Sequence, residues 1–298
     1  MSSYDDILIP TDGSESAERA AQHGLVLAAA YDATVHALTV VDERDYDGAT
    51  LDGEAAFDDE PTDASRDAQR AVDAVADLAE DGATVTRVET GVPSEAILAY
   101  VADAGVDLVV MGTHGRTGVG RFVIGSVAEK VVRRADVPVA TVRAAEAAPR
   151  WPPIDRILVP TDGSDESFSA LPHALDIADR FDATVDAFSV VDERAKSTFY
   201  NVGTALEDLV GGLQTTAEAA TERIEREATD RGVDVSTTIV EGLPSRAICD
   251  HADESGADLV VMASHGRTGL AHYLLGSVAE RVVRNSVVPV LTAPVEDV

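Results

Sequence analysis

Glycines at a fixed spacing are the residues of this chain that most clearly indicate a binding site. Gly112 and Gly115 are followed by Gly125 and Ser126, which gives the pattern Gly-x2-Gly-x9-Gly-Ser. An apolar run precedes the first glycine and a helix-like pattern follows the last, so the loop should connect a strand to a helix. The free N–H groups at the start of that helix, and the positive end of its dipole, would then face the loop. Such a loop can bind an anion, above all a phosphate.

This loop occurs twice in the chain. It returns 151 positions later with Ala263 in place of the first glycine, and the run at 7–14 matches 157–164 at an offset of 150. Because each copy has the size of a common domain, we predict two domains of one fold, at 1–145 and 154–298. The stretch between them is rich in alanine and proline and lacks a core pattern, as expected of a linker.

Short apolar runs alternate with helical patterns within each copy. In the first copy we predict strands near 6–10, 34–41, 84–90, 108–112 and 137–142, and helices near 14–31, 62–80, 93–103 and 125–134. This alternation is typical of an α/β fold in which helices cover both faces of an open, mostly parallel five-stranded sheet. Ligands of such sheets bind beyond the carboxyl ends of the strands, where the strand order reverses.

Acidic residues dominate the charge of the chain. It contains 54 Asp and Glu residues against 23 Lys and Arg, a formal charge of −31, and its only lysines are Lys130 and Lys196. We interpret this composition as halophilic, because at molar salt a Debye length of about 3 Å screens the self-repulsion of the acids. An acidic protein from a moderate-salt organism is the alternative interpretation.

Positive charge is concentrated near the two glycine loops. Residues 108–134 hold five basic side chains and one acidic side chain, a net charge of +4, and residues 259–285 hold three and one, a net charge of +2. This local excess suits an anion site. The acidic remainder argues against nucleic acid or a membrane surface as a partner, because both need neutralisation by Lys and Arg.

The cysteine count and the hydropathy of the chain exclude further kinds of site and segment. Cys249 has no second cysteine with which to form an internal disulfide or a cysteine-based metal cluster. No apolar run reaches the ~20 residues of a membrane span. We therefore expect a soluble, cytoplasmic protein without a metal site.

The glycine pattern closely resembles the ATP-binding motif of the universal stress protein family. Three further features are similar to that family: the Pro-Thr-Asp-Gly-Ser start at 10–14, the Val-Val-Asp turn at 40–42 and the Val-Pro-Val strand at 137–139, each with a counterpart in the second copy. The resemblance covers nearly all of both halves, so the chain is similar to tandem, two-domain members. It implies a Rossmann-like, adenine nucleotide alpha hydrolase-like fold that binds ATP, AMP or ADP, with Mg²⁺ as a further candidate.

The same resemblance implies a role for each motif residue. Asp12 and Asp162 would contact adenosine, and the strand backbone at the Val-Val pairs would hydrogen-bond the adenine edge. The glycines and the serines after them would hold ribose and phosphates. Ala263 would place a methyl group at the ribose, so the second site should bind more weakly. The candidate binding residues are Pro10, Thr11, Asp12, Val40, Val41, Met111, Gly112, Thr113, His114, Gly115, Arg116, Gly125, Ser126 and Val127 in the first half, and Pro160, Thr161, Asp162, Val190, Val191, Met262, Ala263, His265, Gly266, Arg267, Gly276, Ser277 and Val278 in the second.

Simpler alternatives accompany these assignments. The glycine loops could be tight strand-to-helix turns without a ligand. Asp12 and Asp162 could cap the helices that follow them. His114 and His265 lie within the loops, but neither has a Cys, His or carboxylate at ligand spacing, which favours a solvent-facing loop position over a catalytic or metal-binding one.

Three functions stay open from the sequence. The leading hypothesis is a nucleotide-binding stress-response protein in which ATP or AMP occupancy changes shape or partner affinity. The second is a slow Mg²⁺-dependent ATPase, although nothing in the chain resembles a nucleophile–base pair or a Walker lysine. The third is a scaffold in which one or both sites are empty.

The two copies diverge most after their second strand. Residues 42–63 carry ten acidic side chains and are interpreted as a solvated loop. At the corresponding place in the second copy, apolar side chains three and four apart predict an amphipathic helix. Its stripe would cover the sheet edge or pack against another chain, and consists of Phe199, Val202, Leu206, Leu209 and Leu213.

The duplication also predicts how the copies associate. Their final strands, at 137–142 and 288–292, would pair and cover otherwise exposed edges, giving an intrachain pseudo-dimer. A homodimer of the whole chain is a further candidate assembly.

The charge pattern predicts that the folded state depends on salt. Dilution from about 3 M to about 0.1 M KCl lengthens the Debye length, so repulsion between acids should lower the melting temperature. Circular dichroism melts along this series measure the effect, and sucrose in place of the removed salt controls for solute exclusion. An unchanged melting temperature would contradict the halophilic interpretation.

Overall fold

A computed structural model describes residues 4–43, 63–79, 82–115, 124–143, 154–192, 206–266 and 275–295. These residues form two compact units, one ending at Arg143 and the other beginning at Ile154. Several sequence predictions fall outside the described residues: the linker, most of the acidic segment, and the first two positions of the amphipathic stripe.

The first unit is a parallel sheet in the strand order β3-β2-β1-β4-β5. Its strands are β1 (Asp6–Pro10), β2 (Thr34–Asp42), β3 (Thr84–Gly91), β4 (Leu108–Gly112) and β5 (Val139–Val142), and its helices are α1 (Glu15–Tyr31), α2 (Asp63–Leu78), α3 (Pro93–Ala104) and α4 (Ser126–Arg134).

The second unit repeats this architecture, in the strand order β10-β9-β6-β7-β8 and again with parallel pairing. Its strands are β6 (Arg156–Thr161), β7 (Thr184–Asp192), β8 (Val235–Gly242), β9 (Leu259–Ala263) and β10 (Val290–Ala293). A 3₁₀ helix at Glu166–Ala170 precedes the helices α5 (Leu171–Phe181), α6 (Leu206–Arg231), α7 (Pro244–Glu254) and α8 (Ser277–Asn285).

The predicted fold class is confirmed. All five strands and four helices predicted for the first copy are present, with ends shifted by at most two residues. The largest strand shift is at β5, which begins at Val139 rather than at residue 137. Pro138 precedes it and has no N–H group to donate to a strand ladder.

Burial explains the two kinds of strand in each sheet. Central strands such as β4 are buried along almost their whole length, because helices cover both of their faces. The outer strands β3 and β8 have mostly half-buried or exposed residues. The core of each unit therefore lies around β1 and β4, or around β6 and β9, with helices on either side.

One core contact shows how the two copies stay packed after diverging. A Cβ added to Gly24 on α1 would lie 2.7 Å from the Cδ1 atom of Ile9 on β1. The corresponding residues of the second unit are Ala174 and Val159, both almost fully buried. Valine lacks the Cδ1 methyl group, so the alanine methyl has room. The helix and strand residues have changed together to keep one packing volume.

This pairing predicts a coupling that a double-mutant cycle can measure. Gly24→Ala alone should gain about 0.5–1 kcal/mol from helix propensity and lose a similar amount to crowding against Ile9. Ile9→Val alone should cost about 0.5–1.5 kcal/mol. The free energy of unfolding of the double variant should exceed the value expected from adding the two single effects by about 1 kcal/mol. Urea unfolding of the full chain measures it.

Effects that add to within about 0.3 kcal/mol would contradict this account of the packing. The reciprocal pair in the second unit, Ala174→Gly and Val159→Ile, is the matched control, and it should show coupling of the same sign.

Candidate functional site

A gap opens at the carboxyl end of each sheet because the first strand stops before its neighbour. Pro10 is the last residue of β1 and pairs with Leu38, after which Thr11 donates its N–H to the Leu38 carbonyl at 2.8 Å. Strand β2 runs on to Asp42. Since alternate residues of a strand direct their backbone groups to the same neighbour, the N–H and C=O of Val40 face the gap.

The second unit has the same offset between its strands. The register of β6 and β7 ends at Thr161 and Ser189, and β7 continues to Asp192. Val190 therefore faces the gap, whereas Val191 faces β8. Of the two valines predicted at each site, the first thus presents a backbone donor and acceptor to a ligand.

A hydrogen-bonded turn follows the first strand. The Thr11 hydroxyl accepts the N–H of Gly13 at 3.2 Å, and Oδ1 of Asp12 accepts the N–H of Ser14 at 3.0 Å. Gly13 has a φ of 74°, which glycine adopts without strain. Ser14 is the N-cap of α1 and accepts the N–H of Ala17 at 3.3 Å. The cap is thus the serine, and Asp12 instead holds the turn that precedes the helix.

The glycine loop lies directly against this turn. A Cβ on Gly115 would be 2.6 Å from Oδ2 of Asp12, and one on Gly266 would be 2.7 Å from Oδ2 of Asp162. Any side chain at either glycine would displace the carboxylate. The fold therefore brings together the two motifs of each half that the sequence predicted to share a site.

The two ends of each loop are joined by a hydrogen bond. Gly125 donates its N–H to the Thr113 carbonyl at 2.7 Å, and Gly276 donates to the Ser264 carbonyl at 2.8 Å. A Cβ on either glycine would lie 3.1 Å from the accepting oxygen. The predicted site residues Arg116 and Arg267 lie between these ends, outside the described residues.

The helix that follows each loop starts without a capping side chain. Gly125 is the N-cap of α4 and Gly276 is the N-cap of α8. By contrast, Ser14 caps α1 with its hydroxyl. The first-turn N–H groups of α4 and α8 have no N-cap hydroxyl or carboxylate to accept from them, so they are suited to receive an anion. Ser126 and Ser277, the first residues of these helices, are exposed.

A cavity of about 410 Å³ occupies the gap in the second unit. This volume lies within the usual range for small-molecule sites. All the described second-half candidates line it. Among the described residues the lining consists of Pro160, Thr161, Asp162, Ser167, Phe188, Ser189, Val190, Val191, Asp192, Leu213, Thr216, Ala217, Pro244, Ile248, Met262, Ala263, Ser264, His265, Gly266, Gly276, Ser277, Val278 and Ala279.

Several wall residues were missed from the sequence, chiefly Phe188 on β7, Ile248 on α7 and three residues of α6. The signal for α6 was present in the spacing of its apolar residues. We interpreted that stripe as a cover for the sheet edge or as a contact with another chain. In the structure its residue Leu213 lines the cavity.

The structure adds a packing constraint at the position of Ala263 that the sequence did not predict. A Cβ on Gly112, its counterpart, would lie 2.6 Å from Oγ and 2.8 Å from the carbonyl carbon of Ser16. In the first unit the side-chain direction at this position therefore leads to the start of α1, whereas Ala263 lines the cavity of the second unit, and the effect of its methyl group on binding stays a prediction. In the second unit Glu166 takes the place of Ser16 and begins a 3₁₀ helix, which packs against β9 and accommodates the alanine.

Three possible reactive side chains lie near the sites: His114, His265 and Cys249. Nδ1 of His114 lies 2.9 Å from the Thr113 hydroxyl, and Nδ1 of His265 lies 2.9 Å from the Ser264 hydroxyl. Burial, with a contribution from Asp250, raises the pKa of Cys249 to about 11, so its thiol is protonated at neutral pH. The two hydroxyl contacts fix the ring orientation of the histidines at the start of each loop.

Two kinds of feature are absent from the described residues. They contain no cluster of three His, Cys, Asp or Glu side chains arranged to hold a metal ion. None of the helices within those ranges is long and apolar enough to cross a bilayer.

Comparison with known proteins decides the family. The model of the universal stress protein family matches residues 3–143 and again residues 153–294. The chain belongs to the universal stress protein family. A member from Methanocaldococcus jannaschii is 43% identical over 140 residues, covering 46% of this chain and 79% of its own. A second member from the same archaeon is 33% identical over 149 residues, covering 46% and 92%.

A solved structure shows the tandem arrangement of the fold. The crystal structure of a universal stress protein from Archaeoglobus fulgidus covers 98% of this chain and 97% of its own, with a TM-score of 0.66 and 21% identity. At this identity the likeness concerns the fold alone. The two consecutive family matches and this neighbour make the chain a tandem universal stress protein.

The geometry at positions 112 and 263 predicts a loss of stability on substitution in both halves of this universal stress protein, with the larger loss in the first half. Gly112→Ala should destabilise the protein by about 1–3 kcal/mol, because the helix backbone at Ser16 must move. Ala263→Gly removes one buried methyl group and should cost about 1 kcal/mol. Thermal unfolding of both variants measures the difference, and a Gly112→Ala protein as stable as the parent would refute the assignment.

Proposed function

We propose that this universal stress protein binds adenine nucleotides at the carboxyl ends of both sheets and acts as a nucleotide-dependent stress-response or regulatory protein. The cavity of the second unit carries the proposal. It joins an apolar interior, a strand with free backbone groups and the uncapped N-terminus of α8 in one space. These are the features that a purine, a ribose and a phosphate need.

The base would enter beside the extended part of β2 or β7. Val40 and Val190 each present one N–H and one C=O to the gap, which matches the alternating donor and acceptor edge of adenine. Phe188, Ile248 and Val278 give the second cavity an apolar lining. Burial of a ring against such a lining contributes roughly 25 cal/mol per Å² of apolar surface.

The phosphates would lie at the glycine loop. There the backbone approaches the ligand closely because Gly115 and Gly266 have no Cβ, and the helix dipole favours negative charge. Asp12 and Asp162 hold the adjoining turn and would accept hydrogen bonds from the ribose hydroxyls.

The nucleotide carried by the purified protein tests this proposal. We expect protein made in its native salt range to release ATP or AMP on denaturation, in an amount comparable to the protein, as measured by chromatography. Release of ADP would support slow hydrolysis instead. Release of no nucleotide, with no binding on titration, would support a scaffold with empty sites.

A pair of charge variants locates the binding. Ser126→Glu and Ser277→Glu place a carboxylate at the two helix N-termini, where it occupies the N–H groups and repels phosphate. Each should weaken ATP binding at its own site about tenfold, because a hydrogen bond to a charged group contributes about 1.5–3 kcal/mol. Gln22→Glu, an exposed change on α1, is the control with equal charge. Equal ATP affinity in all three variants would contradict the placement of the phosphates.

A further inference from the structure

The valine that faces the gap in the first unit keeps both of its backbone groups outside the strand ladder. Thr11 donates its N–H to the Leu38 carbonyl, the last backbone hydrogen bond between the first two strands. In a parallel pair the next hydrogen bond would join the Val40 N–H to the Thr11 carbonyl, and the one after it would join the Gly13 N–H to the Val40 carbonyl. Neither is present among the described residues. Another contact must therefore end the ladder here.

Two threonine hydroxyls bind the groups that these hydrogen bonds would use. Thr39 donates its hydroxyl to the Thr11 carbonyl at 2.7 Å. The Thr11 hydroxyl accepts the N–H of Gly13 at 3.2 Å. Since each buried backbone group needs a hydrogen-bond partner, these contacts satisfy the Thr11 carbonyl and the Gly13 N–H without Val40. The backbone donor and acceptor of Val40 are left for a ligand.

Burial makes both hydroxyl contacts part of the ligand-free structure. Thr39 is 5% exposed and Thr11 is 6% exposed, so solvent has little access to either hydroxyl. A buried hydroxyl without a partner would destabilise the fold. The two contacts are therefore in place before any ligand arrives.

The second unit repeats both contacts although its packing residues differ. Ser189 donates its hydroxyl to the Thr161 carbonyl at 2.9 Å, and Gly163 donates its N–H to the Thr161 hydroxyl at 3.0 Å. The residue before Ser189 is phenylalanine, whereas the residue before Thr39 is leucine. A hydroxyl is thus retained at this strand position while its neighbour has changed. Because Ser189 lacks the threonine methyl group, the hydroxyl is the shared feature.

We propose, on the basis of the proposed nucleotide site, that Thr39 and Thr11 are positioning residues of the first site. Their hydroxyls take the place of two hydrogen bonds of the ladder. They thereby keep the N–H and C=O of Val40 available to the donor and acceptor edge of the base. Thr39 acts through Val40 and does not contact the ligand.

The amide of Val40 gives a readout that does not depend on a ligand. In the ligand-free, full-length protein its N–H has no partner, so NMR should show rapid exchange with solvent. Thr39→Val removes the hydroxyl with little change in shape, and the Thr11 carbonyl can then accept the Val40 N–H. Exchange at Val40 should slow at least about tenfold. Thr39→Ser keeps the hydroxyl, as Ser189 does, and should exchange like the parent.

The same amide signal reports nucleotide binding at the first site alone. Titration with ATP should give a Kd about tenfold higher for Thr39→Val than for the parent, because the base must displace the new hydrogen bond. Thr39→Ser should bind within about threefold of the parent. Thr86→Val makes the same chemical change at an exposed position of β3 and should alter neither exchange nor affinity. Thr39→Ala, which also lacks the hydroxyl, replaces Thr39→Val if circular dichroism shows that the latter is unfolded.

A change at Thr11 tests the other hydroxyl. Thr11→Val removes the acceptor of the Gly13 N–H, which can then bind the Val40 carbonyl. ATP should bind about tenfold more weakly, whereas exchange of the Val40 amide should stay that of the parent. Thr11→Ser should restore the affinity, and an unchanged affinity in Thr11→Val would refute this half of the inference.

The outcomes distinguish this inference from the function on which it rests. Equal exchange at Val40 in the parent and in Thr39→Val, or equal ATP affinity in the two proteins, overturns the positioning role and leaves nucleotide binding intact. Failure of ATP and AMP to bind the unaltered protein overturns the proposed function. In that case the exchange rates still decide whether Thr39 keeps the Val40 N–H out of the ladder.

Discussion

The contact between a strand-end carboxylate and a glycine loop fixes the geometry of each half. Asp12 lies at the end of the first strand and Gly115 lies after the fourth, yet no side chain fits between them. The contact requires β1 and β4 to be neighbours, which the strand order provides. It also aims the uncapped start of α4 at the gap left by the short first strand. If this distance were larger, the turn, the loop and the helix N-terminus would not converge on one ligand.

Duplication preserved this contact while the packing around it diverged. Gly266 repeats the close approach to Asp162, and both loops close through the same backbone hydrogen bond. Elsewhere the two halves keep the total side-chain volume of a contact but not the residue types. Gly24 and Ile9 of the first unit correspond to Ala174 and Val159 of the second. Packing tolerates such exchanges when the total volume is kept. At Gly115 and Gly266, by contrast, an added Cβ would lie within 3 Å of a carboxylate oxygen, so both halves keep glycine there.

The sequence predicted the helices and strands, which depend on local pattern. It did not predict contacts that depend on the direction in which a side chain points. Strand and helix periodicity placed the elements, and the motif residues of the second half converge on one cavity. The close approach of Gly112 to Ser16 was not predicted, because the motif residue was considered only as a ligand contact. Its direction depends on how close α1 begins to β4, which spacing does not encode. The wall residues of α6 were missed for a similar reason, since the stripe is the same whichever surface it faces.

The turn and the glycine loop are constrained by their contacts, whereas the connection after the second strand is not. This difference explains how the two halves can differ in the ligand that they bind. The end of the site beside the glycine loop is bounded by backbone that packs against the turn after the first strand. The end beside the second strand receives a wall from the helix that follows the connection after that strand, whose length the sheet does not constrain. Leu213 of α6 lines the cavity of the second unit, whereas Ala64, at the corresponding register of α2, is exposed. Divergence of specificity after duplication is therefore expected to concentrate in this connection and to leave the turn and the loop unchanged.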